Sequence, residues 1–362
     1  MQPNLPRVVI GMSGGVDSSV AAYLLKEQGY DVVGMTMKVW LQDCIAQAQD
    51  ACCGPSAVAD ARAVAHAIGI PHYVLDESAD FNQTIVGYFA AEYAAGRTPN
   101  PCILCNEKVK FGSLWNKAAS LGAAFLATGH YARVEQEGAG GRFVLRKGAD
   151  ARKDQSYFLF SLSQEQLGRT LFPLGGMSKP EIRAIARRIG LKVADKADSQ
   201  EICFVPGNDY KAFLRQRLGE GAFHPGGIYD TSGKRLADHQ GIEFFTIGQR
   251  KGLPGGSPRP LYVVDIDPGT GAVIVGGAED LAAEAFRIER CNWLDGESSA
   301  SLEVTVKIRH GHPGAEATVT PLENGAAEVR LHVPQRAVTP GQAAVCYAGD
   351  RVLGGGWITR RV

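Results

Sequence analysis

The apolar run Val8-Val9-Ile10 leads directly into 11-GMSGGVDSSVAAYLL-25, a turn of Ser, Gly and Asp placed before an apolar, helix-like segment. A strand that enters a helix through so short a turn points to a βαβ unit, in which the helix crosses the sheet before a parallel strand is laid down. The following text keeps that alternation: SSVAAYLLKEQG, DVVGMTMKVW, AVADARAVAHAIG and PHYVLD succeed one another up to about Thr128. Gly29, Gly69 and Gly122 fit helix C-terminal caps, and FLATGH at 125–130 reads as a buried strand ending in a turn. KPEIRAIARRIGL at 179–191 reads as a further helix, with Pro in its first turn and Gly190 at its end.

A Ser-Gly-Gly-x-Asp-Ser turn between strand and helix aims backbone N–H groups and a helix N-terminus at one point, which suits an anion such as pyrophosphate. Gly14 and Gly15 allow close backbone approach, Ser13 and Ser18 offer hydroxyls, and Asp17 can help to hold Mg²⁺ beside phosphates. The Lys of a Walker A loop and the GxGxxG of a dinucleotide fold are both missing. The stretch resembles the PP-loop of the ATP pyrophosphatases, which split ATP into AMP and pyrophosphate while adenylating a substrate oxygen. Members of that superfamily use nitrogen or sulfur donors in the second half-reaction, so other residues must identify the donor.

The chain has 362 residues, room for two or three domains, and 38 Lys plus Arg balance 38 Asp plus Glu. No global field therefore marks a nucleic-acid or membrane binder, and any RNA contact requires a local patch. Neither a run of about 18 apolar residues nor a charged-then-apolar leader is present, so a cytoplasmic protein without a membrane span is expected. Nothing in the text demands more than a monomer. Eight cysteines, at 44, 52, 53, 102, 105, 203, 291 and 346, are too few for a disulfide scaffold and favour metal or sulfur chemistry.

Near Gly207 the texture changes to Gly- and Pro-rich text, with GGIYDTSGKRL, FFTIGQRKGL and LYVVDIDPGTGAVIVGG suggesting short strands and turns. From about 286, LEVTVKIRHG, ATVTPLE, AEVRLHVP and AVCYAGDRVLGGGWI alternate as an antiparallel sheet or small barrel, and Gly354-Gly355-Gly356 suggests tight strand packing or a bulge. The expected organisation is an α/β, parallel-sheet catalytic domain at 1–206, a small β-containing central domain at 207–280 and a β-barrel-like domain at 281–362.

Two cysteine segments stand out. In 98-TPNPCILCNEKVKFG-112 a C-x-x-C pair, Cys102 and Cys105, sits on a Pro-stiffened turn, where a helix N-terminus, Lys108 or Lys110 would raise the thiolate fraction. In 198-DSQEICFVPG-207, Cys203 can meet Cys105 only through the fold. Cys44, Cys291 and Cys346 read as small core residues, and vicinal Cys52-Cys53 lacks spaced partners.

GMSGGVDSSV, TPNPCILCN, ATGHY, KDQSYFL, DSQEICF and AVTPGQAAVCYAGDRVLGGGWI, in this order along essentially the whole chain, resemble the bacterial tRNA 2-thiouridylases, which thiolate the wobble uridine. The resemblance implies the PP-loop, adenine nucleotide alpha hydrolase-like fold for the first domain. It makes Cys105 the nucleophile and Cys203 the persulfide carrier, with ATP held by Gly11, Met12, Ser13, Gly14, Gly15, Val16, Asp17, Ser18, Met37 and Gly129. It carries base or tRNA contacts onto Asn100, Pro101, Cys102, His130, Lys153, Asp154, Gln155, Arg309, His310 and Gln342. Substrates would be the tRNAs for Lys, Glu and Gln, and a cysteine desulfurase or sulfur-relay protein would supply sulfur.

Some family members have Asp where this chain has Cys102. Cys102, Cys105 and Cys203 could then ligate a [4Fe-4S] cluster carrying sulfide, although a C-x-x-C pair with one distant Cys also suits zinc or a redox pair. The family pattern at 309–310 usually continues with Tyr or another basic residue, whereas this chain reads Arg309-His310-Gly311-His312. A second candidate phosphate contact is the basic run Lys179, Arg183, Arg187, Arg188, Lys192 and Lys196. The competing readings are an amide-forming ligase of the same loop superfamily acting on a small metabolite, with incidental cysteines, and a non-catalytic iron-sulfur or RNA-binding module.

Overall fold

A computed structural model of the protein describes residues 5–40, 55–138, 140–196, 202–255, 259–296 and 300–361. Cys44, Cys52, Cys53 and the 198–201 part of the second cysteine segment lie outside them. The chain divides into two compact units: Met1–Val86 with Cys102–Asn208 and Asp350–Val352, and Gly87–Pro101 with Asp209–Gly349 and Leu353–Val362. No helix among the described residues is long and apolar enough to cross a membrane.

The first unit is built on a five-stranded sheet in the order His72–Asp76, Tyr30–Lys38, Leu5–Gly11, Phe125–Ala127, Thr170–Leu171, all parallel. Val8, Val9 and Ile10 are fully buried, as a strand covered on both faces requires. Helix Val16–Glu27 buries Val20, Ala21 and Leu25 in a core that also takes Ile182 and Ala186 of helix Lys179–Arg188. The sheet order reverses at Leu5–Gly11, which lies between the second strand of the chain and the fourth. In an open α/β sheet such a switch leaves a crevice beyond the strand C-termini, so both Gly11 and Ala127 deliver the turns that follow them to that crevice.

Helix Lys179–Arg188 starts at Ser178, whose N–H and Oγ–H both donate to Glu181 Oε2, at 2.7 and 2.6 Å. A hairpin, Ala132–Gln136 with Phe143–Lys147, extends the unit. Arg133 and Arg146 of this hairpin pair with Asp350 at 2.8 and 2.7 Å.

In the second unit the segment expected to be β-rich opens instead with helix Tyr210–Leu218, because Asp209 Oδ1 caps it by accepting from Ala212 N–H at 3.0 Å. Four strands follow, in the order Tyr262–Asp267, Ala272–Gly276, Gly226–Asp230, Arg235–His239. A closed barrel comes next: Ala282–Trp293, Ala327–Arg336, Ala315–Pro321, Leu302–Lys307 and Ala343–Ala348 pair in that order, and the last strand, Arg351–Arg361, returns to Ala282–Trp293. Closure leaves no open edge around a core of Phe286, Ile288, Val304, Val306, Val319 and Val329. Cys346 is fully buried in it, and burial pushes its thiol up to about 12. The glycine triplet marks a bulge. Glu289 pairs with Trp357 and Asn292 with Gly355, so Arg290 and Cys291 face Gly356 alone.

Candidate active site

The turn after Leu5–Gly11 is braced from within. Ser13 N–H donates to Ser18 Oγ at 3.1 Å, and the Ser18 and Ser19 hydroxyls donate to Gly15 O at 3.3 and 2.7 Å. Met12 N–H donates to Met35 O at 2.7 Å, and Thr36 Oγ1 donates to Met12 O at 2.7 Å, which ties the turn to the neighbouring strand. Gly14 has φ +71°, and a Cβ there would lie 2.3 Å from Ala57 O, so only glycine is accommodated. Gly15 occupies the N-cap of helix Val16–Glu27 and supplies no side-chain acceptor, so the first-turn N–H groups have no cap of their own. That is the electrostatic requirement for holding pyrophosphate. Gly129 closes the turn from the other side of the switch, since a Cβ there would meet Ser18 N at 2.8 Å. Met37 is half-buried near the C-terminal end of Tyr30–Lys38.

Asp17 has partners that its motif does not announce. Tyr131 Oη–H donates to Asp17 Oδ1 at 2.7 Å, and the nearly buried Lys179 ammonium reaches both carboxylate oxygens at 2.8 Å. Lys196 donates to Gly14 O at 3.2 Å and pairs with Asp60 at 2.7 Å. Two residues of the basic run expected to face RNA phosphates are therefore turned to the loop. Arg187 pairs with Asp195 at 2.7 Å, and Arg183 Nη1–H donates to Ala194 O at 2.8 Å. The Asp17 carboxylate is thus joined to an ammonium and a phenol, which anchors the loop to Tyr131 and to helix Lys179–Arg188.

Cys102 is exposed, and Cys105 and Cys203 are half-buried. Cys105 begins a wide, π-helical stretch, Cys105–Ser113, a geometry frequent at functional sites. Asn106, next to it, is buried and donates through Nδ2 to Phe158 O at 3.1 Å, which ties the thiol segment to the turn Ser156–Leu159. Lys108 pairs with Glu107 at 2.8 Å, while Lys110 faces His130 Nε2 at 3.5 Å. His130 is buried, and desolvation, with the Lys110 charge second, holds its pKa well below the usual histidine value. Nε2 accepts from the ammonium, so Nδ1–H donates to Thr128 Oγ1, at 2.7 Å. Phe204, which follows Cys203, packs edge-on against Phe81 with centroids 5.7 Å apart.

Asp154 is buried and accepts from the N–H groups of Gly148 and Ser156, both at 3.1 Å. Gln155 accepts from Tyr131 N–H at 3.0 Å and donates its own N–H to Tyr131 O at 2.9 Å. The 153–155 segment is thus joined to the nucleotide loop through Tyr131 and Asp17. Among the described residues no three of His, Cys, Asp or Glu converge to hold a metal ion.

In the second unit, Gln342 Nε2 donates to the carbonyls of Thr98 and Pro99 at 3.0 and 3.3 Å, and Thr98 N–H donates to Pro340 O at 2.9 Å. Gly341, at φ +89°, lies so close that a Cβ would meet Thr98 O at 2.8 Å. These contacts set the course of the chain into Asn100 and Pro101. Arg309 and His310 are exposed in the turn after Leu302–Lys307. His312 is buried instead: its Nδ1 accepts from Gly314 N–H, and its Nε2–H donates to Gln335 at 3.1 Å. Sequence reasoning missed Tyr131, Asn106 and the loop-facing role of Lys179 and Lys196. Tyr131 stood inside ATGHY, and that adjacency was the available signal.

Three family models cover the chain: one described as tRNA methyl transferase HUP domain over residues 6–207, a tRNA methyl transferase PRC-barrel domain over 211–277, and an aminomethyltransferase beta-barrel domain over 283–358. The tRNA-specific 2-thiouridylase MnmA of Heliobacterium modesticaldum is 50% identical over 98% of this chain and 93% of its own length. MnmA 1 of Caldanaerobacter subterraneus subsp. tengcongensis is 51% identical over 98% of each chain, and the Geobacter metallireducens protein is 50% identical over 97% of this chain and 96% of its own. The first unit, with its glycine turn at the strand switch, and these full-length relatives agree that the chain belongs to the tRNA-specific 2-thiouridylase family.

Proposed function

We propose that this protein thiolates C2 of the wobble uridine in tRNAs of the Lys, Glu and Gln type at the expense of ATP. The observation that supports it best is the uncapped start of helix Val16–Glu27 behind the Gly14 turn, in a chain that matches tRNA-specific 2-thiouridylases from end to end. A small-metabolite ligase is not favoured, because the relatedness runs through the cysteine segments and the barrel as well as the loop. The proposed division is a catalytic part at 1–206, a small central part at 207–280 and a barrel at 281–362 that contacts tRNA, in line with the three family-model ranges.

Uracil O2 is a poor leaving group. In the reaction we propose, O2 attacks the ATP α-phosphate, the N3 proton is lost, and pyrophosphate departs toward the Gly11–Ser18 turn. Mg²⁺ bound with ATP beside Asp17 would neutralise the phosphates, and Lys179 and Tyr131 hold that carboxylate and so fix the turn. Terminal sulfur of a Cys203 persulfide then attacks C2, and AMP leaves. The Cys105 thiolate attacks the Cys203 sulfur and expels the transferred atom, which leaves a Cys105–Cys203 disulfide for two external thiols to reduce. A wobble base is unpaired in its loop and can be splayed into a pocket without opening a duplex. In this reading Asn100, Pro101, Cys102, His130, Lys153, Asp154, Gln155, Arg309, His310 and Gln342 form the tRNA-facing set. A cysteine desulfurase or relay protein charges Cys203, and the protein works as a cytoplasmic monomer.

Iron-free protein preloaded as the persulfide, given ATP, Mg²⁺ and unmodified tRNA, should make 2-thiouridine in a single turnover. Cys105→Ser and Cys203→Ser should abolish it while leaving ATP binding intact. Product formation only after anaerobic iron–sulfur reconstitution would overturn the persulfide route.

A further inference from the structure

The second unit holds a cleft of about 300 Å³ lined by Tyr88, Glu92, Arg97, Arg290, Gly341 and Trp357 among others. Its most unusual member is Arg290. It sits in the barrel bulge opposite Gly356 with φ +53°, a left-handed conformation that a long side chain adopts at a cost. Its guanidinium carbon lies over the Trp357 ring, 5.5 Å from the centroid, and the residue is exposed. Tyr88 meets the same indole edge-on, with centroids 6.2 Å apart. Arg97 is held as a fork on Glu92, with Nε 2.7 Å from Oε2. The floor at Gly341 is contiguous with Gln342, whose amide secures the carbonyls of Thr98 and Pro99 just before Asn100.

The chemistry of these walls selects one kind of occupant. A guanidinium carried over the Trp357 indole, which Tyr88 in turn braces edge-on, offers a stacking surface for a flat ring, and its charge suits a nearby phosphate. Glu289, exposed at the cleft, accepts from exocyclic amino groups but repels an acidic peptide. A base-paired duplex exposes no ring face to such a cleft, whereas an unpaired loop does.

We infer that this cleft binds an unpaired nucleotide of the tRNA anticodon loop, with its base stacked on Arg290. The inference rests on the tRNA reading above and adds a subsite to it. Arg290→Gly removes the guanidinium while its backbone adopts a positive φ without strain, so the fold is retained. Arg290→Lys keeps the charge but loses the plane.

Affinity of the full-length protein is measured for an unmodified anticodon stem-loop RNA and for ATP without RNA, alongside thermal melting. Arg290→Gly should weaken RNA binding about tenfold, with ATP affinity and melting temperature unchanged. Arg290→Lys should recover only part of that loss. RNA affinity unaltered in Arg290→Gly would overturn the inference, and full recovery in Arg290→Lys would replace stacking with simple charge attraction and overturn it equally. If wild-type protein itself shows no tRNA-dependent pyrophosphate release, the thiolation reading fails instead.

Discussion

The nucleotide turn of the first unit and the barrel bulge of the second both depend on glycines at close approaches, but they use them in opposite ways. At Gly14 the missing side chain lets the turn pack against Ala57, in a turn only a few residues long that leads to a helix start without a side-chain cap. At Gly354 and Gly356 the missing side chains let two strands approach so that a different residue, Arg290, is pushed into an unusual conformation. A Cβ at Gly354 would stand 2.2 Å from Asn292 O, and one at Gly356 would stand 2.9 Å from Cys291 Sγ. The first device is contiguous in the chain. The second joins residues from separate strands, so the same amino acid signals a site directly in one place and indirectly in the other.

The comparison breaks most sharply at Gly14. Gly14→Ala forces a Cβ against Ala57 O at a left-handed φ, and displacement of the turn should cut tRNA-dependent pyrophosphate release by about 100-fold or more. Binding of the anticodon stem-loop to the same variant should persist. Simultaneous loss of both would show that the turn and the RNA surface do not act separately.

Lys179→Met comes next. It leaves the Asp17 carboxylate with Tyr131 alone and should lower stability by about 2 kcal/mol, a value below that of a fully enclosed pair because the Asp17 side chain is 31% exposed. Denaturant titration of Lys179→Met, Asp17→Asn and the double variant measures the coupling. Strict additivity would mean that the ammonium does not anchor the turn.

A smaller effect should come from acid. His130 has a depressed pKa, so between that value and the ordinary 6.5 the unfolded chain binds more protons than the folded one. Its contribution to stability is complete above pH 6.5 and falls as pH drops toward the folded value. His130→Gln should flatten the stability profile below pH 6.5 in equilibrium unfolding, and an unchanged slope would remove His130 from the account.

The smallest expected effect is in the second unit. Gln342→Leu deprives the carbonyls of Thr98 and Pro99 of their donor and should cost about 1 kcal/mol by urea unfolding. No loss would mean that Thr98 is fixed by Pro340 and Gly341 without the amide.

What the sequence reveals follows the same division. The turn at 11–18, the parallel sheet and the barrel were legible because each writes a local pattern: apolar alternation, a glycine turn or a helix cap. The partners of Asp17 were not, since Tyr131 and Lys179 stand 114 and 162 residues away. Lys179 read as one more charge on a basic helix, and only its place in the first turn of Lys179–Arg188 brings it to the nucleotide loop. Arg290 carried no motif, and its sole trace was the glycine triplet on the strand that faces it.

The ion pairs of Arg133 and Arg146 with Asp350 have a temporal consequence. They join residues 217 and 204 positions apart, so the hairpin of the first unit emerges from the ribosome long before its carboxylate partner has been translated. Closure over so long a loop contributes little to early folding, and nascent chains halted before residue 350 should hold the parallel sheet while the hairpin stays open to protease. Completion of the first unit is in this way coupled to arrival of the barrel sequence.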